Sequence, residues 1–368
     1  MVTESFLPHV NGVTNTVRHV VEHLTRHGHD ALVIAPGPGP DRYAGAPVVR
    51  VRAARLPAYR SFRVGLPTLD VDRALDAFGP DLVHLASPVA LGAWGLRAAR
   101  RLGVPTLGVY QTDVAGFVRE YGVPLAGLVD SWVGHLHRRV DRTLAPSSAS
   151  ARQLAGYGVD NVHLWRRGVD LDLFGPDRHD PDLHARWADD DRVVVGYVGR
   201  LAAEKNVRRL AEVARIPGVR LVVVGDGPER AWLERHLPDA RFTGLLTGDA
   251  LAAAFASLDV FVHPGEAETF CQTVQEAQAS GVPVVAPTAG GPVDLVDHGR
   301  TGLLYDVADP RGLRRAVATL VGDPDLRESA GAAAAAAVRG RTWSAVVDEL
   351  VREHYLPLLG TPVVAKAA

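Results

Sequence analysis

Two glutamates, Glu268 and Glu276, stand eight positions apart in the stretch EAETFCQTVQEAQASGVPVVAP (266–287). The first precedes an apparent helix and the second lies inside it. Were all eight residues helical, the carboxyls would be roughly 12 Å apart along the axis. Carboxylates that share acid and base work on a glycosidic bond stand about 5 to 9.5 Å apart. The spacing is wrong for that duty and matches a long ligand with a sugar at one end, a ribose at the other and a diphosphate between. Two solvated helix glutamates are the competing reading. Between the two, Thr269 and Gln272 have the spacing of a capping box, with Thr269 as N-cap and Gln272 at N3. Gly281 ends the helix and Pro283 leads into the next strand. The N–H groups of Phe270, Cys271 and Gln272 are then expected at a helix N-terminus, where the dipole favours an anion such as phosphate.

A second element with phosphate chemistry is VGRLAAEKN, carrying Gly199, Arg200 and Lys205 between an apolar strand and a helix. Arginine offers a planar fork and lysine a point charge, and both suit a diphosphate. Lys205 is one of only two lysines, the other being Lys366, among 40 basic residues. A third element is PHVNGVTNTV, where Asn11-Gly12 is a turn dipeptide and Gly12 lets backbone approach a ligand just before a helix. It is neither a GxGxxG nor a Walker A loop.

These groups need elements to hold them. Short Val/Leu/Ile runs at 30–36, 81–87, 104–110 and 142–147 alternate with helical stretches. A second series follows at 192–200, 219–227, 258–265, 282–288 and 301–306. Near-continuous apolar strands with helices between them indicate parallel sheets covered on both faces. Two series divided by RRGVDLDLFGPDRHDPDL (166–183) indicate two doubly wound α/β domains. The expected boundaries are 1–168, 169–340 and a C-terminal helix in 341–368 that crosses back to the first domain. In such sheets ligands sit beyond the carboxyl ends of the strands.

Composition narrows the class. The chain has 368 residues, 47% hydrophobic and 22% charged, enough for two cores. A formal net charge of −2 argues against a general nucleic-acid binder. One cysteine precludes an intrachain disulfide and suits a reducing compartment. No apolar run reaches the roughly 18 residues of a membrane span, and MVTESFLPHVNG lacks the pattern of a signal peptide. MVTESF reads as the end of a strand whose start lies upstream.

Taken together, LPHVNGV, GRLAAEK, VVGDGPE, RGVDLDLF, the E-x7-E pair and WSAVVDELVREHY resemble the retaining glycosyltransferases of family 4 along essentially the whole chain. Within that family, HLASPVALG (84–92), YQTDVAGF (110–117), ETFCQTVQEA and AGGPVDLV (289–296) resemble the branch of GDP-mannose-dependent α-mannosyltransferases that act on lipid or glycolipid acceptors. The resemblance implies a GT-B fold, two Rossmann-like domains facing across a donor-binding cleft. It implies that Arg200 and Lys205 stabilise the diphosphate of the leaving group, that Glu268 holds sugar hydroxyls and that Glu276 holds ribose hydroxyls. Phe270 and Cys271 would offer backbone N–H groups, Thr269 and Gln272 would border the donor, and Gly12 would approach the phosphate. Gly199, Gly225 and Gly244 would border the nucleotide through backbone. Asn11, Gln111 and Asp113 would lie on the acceptor side.

The chain departs from the family at two positions. Gln111-Thr112 stands where many relatives carry His-Thr, so any acid–base role passes to Asp113 or is absent. Cys271 stands where many have glycine. The implied function is transfer of a hexose, mannose from GDP-mannose above all, to a lipid-linked or small-molecule hydroxyl. A UDP-sugar transferase is the runner-up, and a non-catalytic nucleotide-sugar-binding module or a GT-B epimerase are readings of other classes. No cofactor or metal is expected. The Asp170-Leu171-Asp172 triplet lies in the linker instead of ending a strand. His19, His23 and His27 share a helix whose stripe Val17, Val20, Val21 and Leu24 points the other way. Arg60, Phe62 and Arg63 are expected in a solvated loop, with contact to anionic headgroups as the lesser reading. The expected location is the cytoplasm, with peripheral contact at the inner membrane surface through the first domain.

Overall fold

The computed structural model describes residues 1–360 except 10, 57–58, 66–68, 115, 117–125 and 189–191. The side chains of Arg60, Phe62 and Arg63, read as a solvated loop or a lipid-facing patch, lie outside the described residues. The chain forms two compact units. One comprises Met1–Arg167 and the segment from Trp343 onward, and the other is Gly168–Thr342.

The first unit is built on an eight-stranded sheet. In chain order its strands are β1 (Val2–Thr3), β2 (Val33–Pro36), β3 (Arg42–Tyr43), β4 (Ala46–Val51), β7 (Val83–Ala86), β8 (Thr106–Val109), β9 (Arg142–Ala145) and β10 (Val162–Leu164). A separate hairpin is made of β5 (Ala53–Leu56) and β6 (Tyr59–Gly65). The sheet order is β10-β9-β8-β7-β1-β2-β4-β3, parallel except for the β3–β4 pair. Strand order reverses between β1 and β7, so the chain leaving those two strands lies where an open α/β sheet takes ligands. The segment after β1 leads through Glu4 to Asn11 and Gly12.

The second unit carries β11 (Val193–Val198), β12 (Val219–Val224), β13 (Arg241–Gly244), β14 (Val260–Val262), β15 (Val284–Pro287) and β16 (Gly302–Tyr305). Its order is β13-β12-β11-β14-β15-β16, all parallel. Successive residues point to opposite faces. Val194, Val222, Phe261 and Val284 enter one apolar layer, and Val195, Val223, Val260 and Val285 the other. Here the order reverses between β11 and β14. The chain leaving β11 carries Arg200 and Lys205, and the chain leaving β14 carries Glu268.

Strands β3, β4, β5, β6, β10 and β13 lie outside the runs expected from the sequence. β13 is RFTG, with an exposed arginine and three partly buried residues, so no apolar run marks it. The triplet at Asp170 forms a turn, in which Asp170 Oδ1 accepts from the N–H groups of Asp172 and Leu173 at 3.2 and 3.1 Å. The aspartate side chain thus stands in for a backbone turn carbonyl.

One expectation about the first helix is corrected. Helix α1 (Gly12–Arg26) buries Val17, Val20, Val21 and Leu24, yet it also buries His23. The reason is a second covering layer. The C-terminal helix (Trp343–Glu349) packs on that face. His23 Nε2 lies 3.0 Å from Asp348 Oδ1, and His19 stacks on Trp343 at 4.4 Å between centroids. The histidine spacing thus belongs to a helix–helix contact. The same C-terminal segment is anchored by Trp165 Nε1, which donates to Val346 O at 3.0 Å, and by a 2.6 Å bond between His84 Nδ1 and the Tyr355 hydroxyl. His84 is buried, and burial lowers its imidazole to about 3, so it stays neutral. Tyr355→Phe would leave that imidazole without its partner at a cost of about 1–3 kcal/mol. A drop of that size in unfolding free energy by urea titration is expected. A variant as stable as the parent would mean that Val346, Val347 and Leu350 alone hold the segment.

Candidate active site

The site in the second unit begins with backbone. Gly199, Gly225 and Gly244 end β11, β12 and β13, and their main chains press together. Gly225 N–H donates to Gly244 O at 2.8 Å, and a Cβ on Gly225 would stand 2.0 Å from Gly199 O. Gly225 also has φ 132°, a region only glycine enters freely. Any side chain there would push the strand ends apart.

After Gly199 the chain passes Arg200 and makes a 3-10 turn, Ala203–Lys205, closed by Asn206 in the left-handed region. This turn aims Lys205 back at the end of β14. Its Nζ lies 2.5 Å from Glu268 Oε1. Arg200 Nη1 lies 3.1 Å from Glu204 Oε1. A sequence reading of paired cations did not foresee that each has its own carboxylate.

Glu268 sits in the loop after β14, outside the helix. The loop is clamped from behind by the AGGP segment. Gly291 N–H donates to Glu268 O at 2.7 Å, and a Cβ on Gly291 would stand 2.3 Å from Phe270 O. His263, the residue after β14, brings its Nε2 to 3.1 Å from Glu268 Oε1, at an ion-pair distance without hydrogen-bond alignment. Both cationic contacts therefore reach the same oxygen. Oε2 makes no hydrogen bond among the described residues.

Electrostatics follow from that crowding. Burial opposes ionisation of Glu268, but the Lys205 ammonium and the His263 imidazole outweigh it and hold the carboxyl well below the usual range. Burial likewise works against the Lys205 charge, and Glu268 overcomes it, so the ammonium persists to higher pH. For His263, burial favours the neutral ring, but Cys271 and Glu268 raise it to about 9. Three charges thus survive in a mostly covered spot because each faces its opposite.

The capping box is corrected. Helix α3 in this unit (Gln272–Ala279) has Cys271, and not Thr269, at its N-cap, with φ 80° and ψ 77° and no side-chain cap bond. The loop turns against Gly290 and Gly291 before entering the helix, and the N-cap falls two residues after Thr269. Phe270 and Cys271 therefore precede the helix, and the first-turn N–H groups are those of Gln272, Thr273 and Val274, the last donating to Cys271 O at 3.2 Å. Gln272 uses its side chain structurally, donating from Nε2 to Gly168 O at 2.9 Å. The left-handed backbone at Cys271 also explains why a glycine suits this position. A thiol there costs strain but fills the layer around Val274 and Ala277.

Glu276 lies inside α3, partly buried, with no side-chain hydrogen bond or ion pair among the described residues. Burial raises its carboxyl to about 7.

In the first unit, Asn11 is the N-cap of α1, its Oδ1 accepting from Thr14 N–H at 2.9 Å, and Gly12 opens the helix with nothing within 4 Å of its Cβ direction. Gln111 is buried just beyond β8. Asp113 Oδ1 accepts from Gly116 N–H at 2.8 Å and from the Tyr110 hydroxyl at 3.2 Å. That engagement gives Asp113 a turn-holding role in this structure. Glu4, unremarked in the sequence, is buried beside the start of helix α2 in this first unit (Leu91–Leu102), where Oε1 accepts from Val89 and Gly92 N–H, each at 3.0 Å.

The missed residues are His263, Glu204 and Glu4. A signal existed for His263, a titratable residue at the carboxyl end of an apolar parallel strand. Glu4, at the strand end read in MVTESF, had the same signal, and Glu204 had only its i,i+4 spacing from Arg200.

Residues 10–173 match the family described as Glycosyltransferase Family 4, and residues 181–337 match Glycosyl transferases group 1. The chain is 52% identical to the GDP-mannose-dependent alpha-mannosyltransferase of Mycobacterium tuberculosis (strain CDC 1551 / Oshkosh), covering 98% of this chain and 96% of that one. It is 27% identical to the GDP-mannose-dependent alpha-(1-6)-phosphatidylinositol dimannoside mannosyltransferase of M. tuberculosis (strain ATCC 25177 / H37Ra), over 86% of each. Among solved structures, Anabaena HepE in complex with UDP and glucose aligns with a TM-score of 0.76 at 19% identity, covering 96% of this chain and 98% of that one. At that identity the likeness shows the fold.

The Glu276 environment yields a prediction with a definite sign. A carboxyl held at about 7 when folded, against 4.5 when unfolded, binds its proton more tightly in the folded state. Its contribution to stability is full below pH 4.5 and is lost as pH rises through 7. Glu276→Gln, without ligand, should be more stable than the parent at pH 8 by about 1–2 kcal/mol, discounted for partial exposure, with the gap closing toward pH 4.5. Thermal unfolding across that range measures it, and a gap independent of pH would contradict the buried-carboxyl account.

Proposed function

The chain belongs to glycosyltransferase family 4, and from that premise we propose that it transfers mannose from GDP-mannose to a hydroxyl of a lipid-linked acceptor. The observation that carries the reading is the Lys205–Glu268 ion pair at the strand-order reversal of the second sheet, with Arg200 beside it. The choice of GDP-mannose rests on the 52% identity to a transferase named for that donor. The lipid acceptor rests on the phosphatidylinositol mannoside named in the second relative.

The residues divide the work as follows. Arg200 and Lys205 neutralise the diphosphate as the sugar–oxygen bond breaks and negative charge develops on the leaving phosphate. Engaging the phosphate draws Lys205 and Arg200 from Glu268 and Glu204, which frees Glu268 for sugar hydroxyls. Glu276 accepts from the ribose hydroxyls. The N–H groups at the start of α3 face the phosphates, and Gly199, Gly225 and Gly244 leave backbone bare for the base. Transfer retains the anomeric configuration, the departing phosphate taking the acceptor proton on the same face. Two cationic side chains supply the positive charge, so the reaction is proposed to run without metal. Gly12, Asn11, Gln111 and Asp113 are assigned to phosphate approach and the acceptor side on the family resemblance. No helix among the described residues is long and apolar enough to cross a membrane. Contact with a membrane surface at the cytoplasmic side is part of the proposal.

A UDP-sugar donor is the second reading, favoured by a fold match to a protein solved with UDP and glucose. Calorimetric titration of GDP, GDP-mannose, UDP and UDP-glucose without added metal separates the two. GDP and GDP-mannose should bind at least tenfold more tightly than the uridine ligands, and Arg200→Ala should weaken GDP by about tenfold, the loss of one charge-assisted contact. Preference for UDP would replace the donor assignment. Binding of none would overturn the transferase reading.

A further inference from the structure

His263 has no part in the roles just described, yet it makes one of the two cationic contacts to Glu268. Its side chain is 3% exposed, and neither ring nitrogen has a hydrogen-bond partner among the described residues. The ring lies nearly parallel to Tyr197, 6.3 Å between centroids and 18° between planes. The Tyr197 hydroxyl in turn donates to Arg200 O at 2.9 Å. A Cβ on Gly265 would stand 2.8 Å from His263 Nε2, so the following loop folds tightly over the imidazole. The same ring thus touches the loop that carries Glu268 and the strand that leads to Arg200.

We propose that His263 is a positioning residue for transfer: from beneath the site its imidazole fixes Glu268 Oε1, so that Oε2 keeps facing the sugar when Lys205 swings to the diphosphate. The inference rests on the proposed roles of Glu268 and Lys205. Lys205 cannot hold both the carboxylate and a phosphate at full strength. Without a second cation, Glu268 would be free to follow the ammonium or to rotate toward it. A buried imidazole on a strand end cannot follow, because Tyr197 and the 264–266 backbone confine it. The groups facing His263 are Glu268 and Cys271 from the loop and helix start, Tyr197 from β11, and Lys205 from the 3-10 turn. A ring nitrogen of His263, a Glu268 oxygen and Cys271 Sγ all lie within 4.8 Å of one another, types that also bind soft divalent metals. The Lys205 ammonium on the same carboxylate oxygen, together with an imidazole charged up to about 9, makes the cluster a seat for negative charge and a poor one for a cation.

Two variants test the assignment. His263→Phe keeps the ring against Tyr197 and removes the contact to Glu268, whereas His263→Gln restores an N–H donor. The rate is read as GDP release from saturating GDP-mannose with water as acceptor, so no acceptor need be known. The Phe variant should lose about tenfold or more in kcat, with GDP affinity within twofold of the parent and an unchanged melting temperature. The Gln variant, which can donate an N–H but carries no charge, should recover only part of that loss. A Phe variant with parental kcat, or one losing kcat, GDP affinity and melting temperature together, would overturn the proposal. A second readout needs no turnover. By NMR on histidine-labelled protein, the His263 imidazole should titrate near 9 in the parent and at least a unit lower in Glu268→Gln. An unmoved midpoint would overturn the proposal. If the parent neither binds nor cleaves GDP-mannose, the donor reading fails by itself and the NMR titration still decides the His263–Glu268 contact.

Discussion

The second unit is organised around one crowded carboxylate. Glu268 stands almost out of water with Lys205 at 2.5 Å and His263 at 3.1 Å, and its charge helps hold both cations against burial. An isolated charge in that position would be neutralised by burial alone. The arrangement therefore requires three separate segments to arrive together: the turn after β11, the end of β14 and the loop before α3. Each is fixed by a different device. Asn206 in the left-handed region closes the turn, parallel pairing places the two strand ends, and the bare backbone of Gly290 and Gly291 lets the AGGP segment press against the loop from behind. The pair is also poised for exchange. In the proposed function, a diphosphate offers Lys205 a stronger partner than a single carboxylate, and that exchange turns the ion pair into a donor clamp.

Parallel α/β topology explains why this chemistry collects where it does. Every strand of the second sheet runs the same way, so all strand exits lie on one edge, and the order reversal between β11 and β14 opens a gap there. Glycine at the exits of β11, β12 and β13 keeps that edge free of side chains, while the cations and Glu268 stand at the gap itself. In the first unit the same rule places Asn11 and Gly12 after β1. There the C-terminal segment adds a covering layer over α1, with His23 and Asp348 paired and Tyr355 held to His84.

How much of this was legible beforehand depended on whether the signal was local. Strands that are apolar on both sides, such as VVVGYV and VRLVVV, announce themselves. RFTG and APVVRV do not, because one lies at a sheet edge and the other mixes exposure along its length. Arg200, Lys205, Glu268 and Glu276 could be singled out by type and spacing, but their partners could not. Lys205, His263 and Glu268 meet through tertiary folding, and no spacing along the chain encodes a contact between residues 205 and 268, whereas Arg200 and Glu204 pair locally, four residues apart. The capping box failed for a related reason. Thr269 and Gln272 have the right separation, but clamping by Gly291 forces the chain through a left-handed residue at Cys271, and tertiary constraint overrode the local motif. The histidines of α1 were misjudged likewise. Periodicity finds the face turned to the sheet and is blind to a second face covered by a segment more than 300 residues later.

The account stands on Lys205 and Glu268 acting as a unit that one donor molecule takes apart. A double-mutant cycle measures this directly, comparing Lys205→Ala, Glu268→Ala and the double variant for rate of GDP release from GDP-mannose. Groups that act together are strongly non-additive. The double variant should lose little more than the worse single one. Losses that multiply would mean the two residues work independently, and the ion pair would then be a feature of the resting fold alone.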